Sequence, residues 1–292
     1  MNKKNQAKIL MILVMFTFGT MAPFVRNINV SSSELALYRA ILAITMVGLY
    51  IFITKQKFDL QSIKKEMILL LLSGAFMGIN WILLFEAYKY TTVSVATLSY
   101  YFAPVLVMIL SPIIFKEKMT VKQLLCFIFS TIGIVLITGT ASGGSNDFLG
   151  ILFGLGAAVL YATVTLLNKF IKGVSGIQRT FNQFISAIII LFPYVCLTEG
   201  LNFSTLTSVG WFSLLVIGVV HTGITYCVYF SIIEYLTGQQ IALLSYIDPL
   251  VAVLVSVVWL HESITLMQII GGLLILGFTL YNELPSKVGE VG

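Results

Sequence analysis

The 292-residue chain carries 17 basic and 12 acidic side chains, while 58% of its residues are hydrophobic and its mean hydropathy is +1.00. A soluble domain has roughly a quarter of its residues charged, so this composition excludes a water-facing exterior and points to a chain embedded in lipid. The net charge of +5 is spread in short clusters between apolar runs, which is a topology signal rather than a nucleic-acid footprint.

In chain order the apolar runs predict spans over 9–26, 34–54, 67–86, 92–115, 122–140, 148–168, 179–198, 209–233, 238–260 and 265–284. Each is close to the length needed to cross a bilayer with some tilt. The first is expected to be a retained helix, because no small-residue cleavage site precedes a polar mature domain. With the N-terminus inside, Lys3, Lys4, Lys8, Lys55, Lys57, Lys64, Lys65, Lys116, Lys118, Lys122, Lys169, Lys172, Arg179 and Lys287 all fall on the inner side. Only Arg26 and Lys89 fall on the outer side, with Arg39 inside the second helix. This positive-inside bias puts both termini in the cytoplasm and supports the ten crossings. Cys126, Cys196 and Cys227 all lie inside apolar runs, with neither metal-ligand nor disulfide-framework spacing.

The second half repeats the first at an offset of 145: Tyr101 falls on Tyr246, Pro104 on Pro249, Glu117 on Glu262, Thr120 on Thr265 and Gln123 on Gln268. Gly78 likewise falls on Gly223, Phe85 on Phe230 and Tyr90 on Tyr235. Five helices is an odd number, so the second unit enters the membrane in the opposite sense. The expected fold is an all-α polytopic membrane protein of ten transmembrane helices, arranged as two inverted five-helix repeats over 1–144 and 145–292. That is a common plan of secondary transporters.

These residues carry a resemblance. The stretch EAYKYTTVSVATLSYYFAPVLVMILSPIIFKEKMTVKQ (86–123), its repeat EYLTGQQIALLSYIDPLVAVLVSVVWLHESITLMQ (234–268) and the weaker FTFGTMAPFVR (16–26) are similar to bacterial EamA-type ten-helix members of the drug/metabolite transporter superfamily. Two positions depart from the pattern: Phe18 precedes Gly19 where many members have Trp, and Ala103 precedes Pro104 where an acidic residue is common. The second half keeps that acid as Asp248–Pro249. The resemblance implies a multi-pass protein of the bacterial cytoplasmic membrane, in which helices 1–4 and 6–9 surround a cavity and helices 5 and 10 pack outside.

A carrier needs an enclosed polar or aromatic site. Asn80 and Trp81 align with Thr225 and Tyr226, while His221, Thr225 and Tyr229 recur every four residues and can share a helical face. Tyr101 and Tyr246 precede the two prolines, whose missing N–H groups favour a kinked or discontinuous helix. The substrate-binding candidates are therefore Asn80, Trp81, Tyr101, His221, Thr225, Tyr226, Tyr229 and Tyr246. Each also has a packing interpretation, because polar side chains join helices in lipid. Asp248 and Arg39 are the intramembrane charges and the candidates for coupling or charge recognition. Gly74 and Gly78, Gly150 and Gly154, and Gly272 near Gly277 are expected at close helix contacts. The linker 141–147 lacks a phosphate-binding signature.

The expected function is secondary transport of a small polar or amphipathic metabolite, above all an amino acid or related compound, by alternating access. Proton coupling through Asp248 and a bias to export belong to this expectation. Proton-coupled import of a quaternary ammonium compound such as choline is the alternative, since aromatic side chains hold such cations. An intramembrane enzyme or a non-transporting receptor is the alternative class, although the residues form no catalytic constellation. The expected partners are the solute, lipid and protons, with no cofactor, metal or nucleic acid, in a monomer or weak dimer.

Overall fold

The computed structural model describes residues 2–55, 60–90, 96, 99–138, 147–259 and 266–283, so the His261–Glu262 turn and nearly all of the linker 141–147 lie outside the described residues. Helices α1 (Lys3–Gly19) and α2 (Ala22–Val25) are separated by a short kink, and α3 (Ser32–Thr54) follows. The start of α3 is a capping box: the Ser31 hydroxyl accepts from the Glu34 N–H and the Glu34 carboxylate accepts from the Ser31 N–H. Next come α4 (Leu60–Tyr90), α5 (Phe102–Phe115), α6 (Val121–Thr138), α7 (Asp147–Phe170) and α8 (Gly176–Thr198). Then α9 (Ser208–Val216) runs without a break through a π-helical segment, Ile217–Ile224, into α10 (Thr225–Ile232). The chain closes with α11 (Gly238–Ser245), α12 (Ile247–Val258) and α13 (Leu266–Glu283).

Among the described residues, six stretches are long and apolar enough to cross a membrane: Lys3–Val25, Ser32–Thr54, Leu60–Ala87, Phe148–Phe170, Gly176–Thr198 and Ser208–Tyr235. Phe102–Phe115, Val121–Leu136 and Ile269–Asn282 are shorter apolar helices. The structure thus departs from ten uninterrupted helices. The span expected at 238–260 is two helices that meet at Tyr246, and α5 begins after a corresponding break at Tyr101. The cause is local. Each proline lies three residues beyond its tyrosine, and a proline ring clashes with the carbonyl four residues before it in a continuous helix. At the third position of a new helix its missing N–H costs nothing. The two tyrosines accordingly share one backbone conformation, φ −70° and ψ 4° at Tyr101 and φ −70° and ψ −8° at Tyr246.

Helix spacing follows the sequence offset. α8 begins 144 residues after α3, and α12 and α13 each begin 145 residues after α5 and α6. α6 and α13 pack chiefly on each other, with Phe129 stacked on Phe278 at 4.4 Å and Gly133 against the Gly271 carbonyl. α4 lies between α7 and α8, α3 lies against α8 and the π segment, and α1 lies against α10 and α12.

The charged residues collect at two ends. At one end Lys89 bonds Glu86 at 2.7 Å and Glu199 at 3.2 Å, Tyr194 donates to Glu86, and the Asn202 N–H donates to Glu34. Elsewhere Glu117 pairs with Lys169, accepts from the Ser111 hydroxyl at 2.7 Å and accepts from the Gly238 N–H at 2.9 Å. One carboxylate thereby joins the end of α5, the end of α7 and the start of α11. Arg179, counted among the inner-side cations, is 1% exposed. Its guanidinium donates to the carbonyls of Asn168, Ile171 and Val174 at 3.0–3.2 Å. Asn168 lies in the last turn of α7, where a helix leaves carbonyls without intrahelical partners, and Ile171 and Val174 lie in the segment just beyond it.

Gly74 and Gly78 do seat α4 on α8. A Cβ at Gly74 would collide with the Gln183 backbone, and one at Gly78 would lie 3.1 Å from the Ala187 carbonyl. A Cβ at Gly277 would meet nothing within 4 Å. Gly74→Ala is expected to destabilise the protein by about 1–3 kcal/mol while Gly277→Ala leaves it unchanged, as read from thermal unfolding in detergent; equal midpoints would refute this close contact.

Candidate functional site

The eight substrate-binding candidates separate into three groups. Asn80, Trp81, Tyr226 and Tyr229 line one enclosed cavity together with Met77, Tyr161, Val164 and Phe230. The walls come from α4, α7 and α10. The space is small, with room for about one water molecule, because aromatic side chains nearly fill it. A more open groove beside Lys3, Gln6, Leu10, Ile232 and Tyr235 lies at the helix ends, away from these residues.

Tyr226 is the hub. Its ring lies 5.3 Å from Phe18, 5.6 Å from Phe184, 5.6 Å from Phe230, 6.3 Å from Trp81 and 6.4 Å from Tyr229. The Arg39 guanidinium lies 4.0 Å over the Trp81 ring, and Phe184 stacks on the same indole at 6.0 Å. Cation–π attraction of this kind is strongest when water is excluded. The 145-residue offset relates Arg39 to Phe184 and Trp81 to Tyr226. All four positions meet here, and Trp81 touches the residue that is its own counterpart. Tyr226 is also within electrostatic reach of both Arg39 and Asp248.

The hydroxyls and amides of the cavity wall are tied to protein. The Asn80 side chain donates to the Ala157 carbonyl at 2.5 Å, and the Tyr229 hydroxyl bonds Thr165 at 3.2 Å and the Tyr161 side chain. Below them the Asn168 amide donates to Ser73 at 2.8 Å and accepts from Gln183 at 2.8 Å, linking α4, α7 and α8.

His221 and Thr225 form the second group, and neither lines the cavity. The His221 ring lies 3.1 Å from the Thr20 hydroxyl and 5.4 Å from Phe24, against the α1–α2 junction. The Thr225 hydroxyl donates back to the Val220 carbonyl at 2.7 Å. The four-residue spacing that put these residues with Tyr229 assumed α-helical geometry, whereas His221 lies in the π segment. That segment has a packing cause. Gly218 faces Leu42 and Gly223 faces Met46 and Ala43, all on α3. Residues five apart diverge by about 140° in an α-helix, and the wider π turn brings both glycines toward one neighbour.

Tyr101, Tyr246 and Asp248 form the third group, at the helix breaks. The Tyr101 side chain hydrogen-bonds Asp248, and the Tyr246 hydroxyl bonds the Thr131 hydroxyl at 2.8 Å. Tyr246 is fully buried and stacks with Phe127. Gly19 lets α1 approach the Asp248 carbonyl, since a Cβ there would lie 2.6 Å from it. Arg39 and Asp248 thus have different neighbours, Trp81 and Tyr101, and both are within electrostatic reach of Tyr226.

Sequence reasoning missed Tyr161, Phe18, Phe184 and Phe230. Tyr161 had one usable signal, a phenol in the middle of an apolar run, where the hydroxyl must find a partner inside the protein. Phe18 and Phe230 had weak signals, a position where many family members have Trp and a repeat match to Phe85, and Phe184 had only its place as the counterpart of Arg39. Among the described residues no cluster of His, Cys, Asp and Glu could hold a metal. Tyr229→Phe is expected to destabilise the fold by about 1–2 kcal/mol by leaving Thr165 and Tyr161 without their shared partner; an unaltered unfolding midpoint would show that these bonds contribute nothing.

Comparison with known proteins agrees with this architecture. The model of the EamA-like transporter family matches residues 6–139 and again 148–282. An uncharacterized transporter of Bacillus subtilis, YxxF, is 30% identical over 93% of this chain and 89% of its own. An uncharacterized transporter of Archaeoglobus fulgidus is 29% identical over 91% of this chain and 92% of its own. One crystal structure superposes with a TM-score of 0.83 over 95% of this chain and 97% of that chain; at 16% identity it shares the fold. The chain is a multi-pass membrane protein and belongs to the EamA-like transporter family.

Proposed function

We propose that this transporter is a secondary carrier of small zwitterionic amphipathic metabolites, amino acids or close relatives, and that it works by alternating access between two inverted repeats. The observation that carries the reading is the meeting of Arg39, Trp81, Phe184 and Tyr226. Residues related by a two-fold axis can touch their own counterparts only beside that axis, as Trp81 and Tyr226 do. The double match to the family model and the repeated helix starts support the same division at about residue 145. A site on the axis between two halves is the place that rocking can open to either face.

The chemistry of the site supports the substrate class. Arg39 offers a cation for a carboxylate, Asp248 an acceptor for an ammonium, and the neighbouring rings an apolar surface. A quaternary ammonium compound fits less well, because the guanidinium already covers a face of Trp81. Asp248 is also the group suited to carrying a proton, being an acid within a membrane-spanning region with a phenol beside it. The basic residues orient both termini toward the cytoplasm, and export is the direction this reading favours.

Proteoliposomes loaded with radiolabelled amino acids and subjected to an imposed pH gradient test the reading. Asp248→Asn is expected to insert normally and to lose proton-dependent flux; unchanged flux and pH dependence would remove Asp248 from coupling. Tyr226→Ala is expected to weaken solute affinity about tenfold or more, consistent with loss of several aromatic contacts. Normal affinity and selectivity would assign Tyr226 to packing. Absence of solute exchange by the wild-type protein across the whole set would overturn the substrate class.

A further inference from the structure

The two helix breaks have the same backbone but different side-chain partners, and the difference crosses the boundary between the halves. Tyr101, in the first half, bonds Asp248 at the start of α12 in the second. Tyr246, in the second half, bonds Thr131 on α6 in the first at 2.8 Å. At the 145-residue offset Asp248 corresponds to Ala103 and Thr131 corresponds to Leu276. Neither alanine nor leucine can accept a hydrogen bond.

We propose that the Tyr101–Asp248 and Tyr246–Thr131 bonds form a two-point latch that holds the transporter in the conformation seen, and that the oppositely facing conformation has neither bond. The inference rests on the inverted-repeat reading above, in which the two halves exchange conformations. On exchange, Tyr246 takes up the disposition of Tyr101 and faces Ala103, while Tyr101 takes up that of Tyr246 and faces Leu276. Both phenols then lose their cross-half partners together. Asp248 loses a donor in the same step, which makes that conformation the one with an acceptor open to a solute ammonium or a proton. Tyr101 is thereby a positioning residue for Asp248, and Thr131 acts through Tyr246.

The placement of the bonds suits this task. Tyr246 is 0% exposed and packs against Phe127, so water cannot substitute readily for Thr131. Gly19 permits α1 to rest on the backbone of Asp248 itself, so a shift at this carboxylate is felt directly by a helix of the first half. The hydroxyl of Tyr101 contributes through its bond to an acid, the stronger kind of hydrogen bond.

The test is a distance measurement between spin labels on the full chain in proteoliposomes, with Cys126, Cys196 and Cys227 replaced. One pair is placed at Lys118 and Lys172, and the other at Tyr90 and Leu201, so that each pair joins the two halves at a different end. Wild type is expected to favour one set of distances. Tyr101→Phe should shift the ratio of the two populations about tenfold or more toward the other set, as expected for loss of a hydrogen bond to a charged group. Thr131→Val should shift it in the same direction by a smaller factor. Ala103→Asp combined with Leu276→Thr supplies the missing partners to the opposite conformation, and should move the ratio the same way with both tyrosines intact. Two exchanging populations that Tyr101→Phe and Thr131→Val leave unchanged would overturn the latch and leave alternating access standing. A single unvarying set of distances in every variant, with solute present or absent, would overturn alternating access itself, and the latch with it.

Discussion

A polar group inside a bilayer has no water to turn to, and this constraint organises most of the structure. Asn80 donates to the backbone of α7, Asn168 joins Ser73 and Gln183, and Arg179 closes the carbonyl end of α7. Each of these bonds satisfies a donor and at the same time fixes one helix against another. The same constraint shows at one of the helix breaks. Tyr246 sits at its break with no exposed surface, and its hydroxyl has a partner on α6.

Close approach is the second requirement, and glycine meets it in two different ways. Along α4, Gly74 and Gly78 are one turn apart and present a flat strip to α8. Along the helix through His221, Gly218 and Gly223 are five apart, and an α-helix would splay them. Widening that stretch into a π turn lets both contact α3, the helix that carries Arg39. The packing that positions Arg39 over Trp81 is therefore linked to an irregular backbone on the facing helix. Arg39 is held by helix geometry as well as by its indole.

Much of this was legible in the residues. The 145-residue offset put two prolines in equivalent places, and that one local constraint gives Tyr101 and Tyr246 their like backbone conformations. It also aligned Trp81 with Tyr226, which meet in space. What was not legible had physical reasons. His221 and Thr225 were grouped with Tyr229 by α-helical spacing, and nothing in IGVVHTGI announces a π turn except the glycine spacing itself. Arg179 reads as one more cation beside Lys169 and Lys172, since a sequence does not display the unpaired carbonyls at the end of a helix. Phe184 could be found only by asking what faces Arg39 across the repeat. The segment at 238–260 looked continuous because eight buried residues, Gly238–Ser245, lead directly into a second apolar helix.

Departures from the repeat matter more than the repeat. Two identical halves packed in opposite senses would give two facing states of equal free energy, and nothing in the protein would choose between them. A bias requires side chains that have partners in one state and lack them in the other. Polar departures of this kind include Arg39 against Phe184, Thr131 against Leu276, Asp248 against Ala103 and Lys89 against Glu234. Three of the four lie within the helix bundle, where a hydrogen bond gained or lost is not compensated by water. A bond to an acid contributes about 1.5–3 kcal/mol, and about 1.4 kcal/mol is tenfold in a two-state ratio. On the proposed alternating-access reading, one or two such departures would suffice to set a resting state, and a solute or proton at Asp248 would reverse it only by interacting differently with the two states. On that reading the repeated backbone would keep both states accessible, and the unequal polar side chains would decide between them.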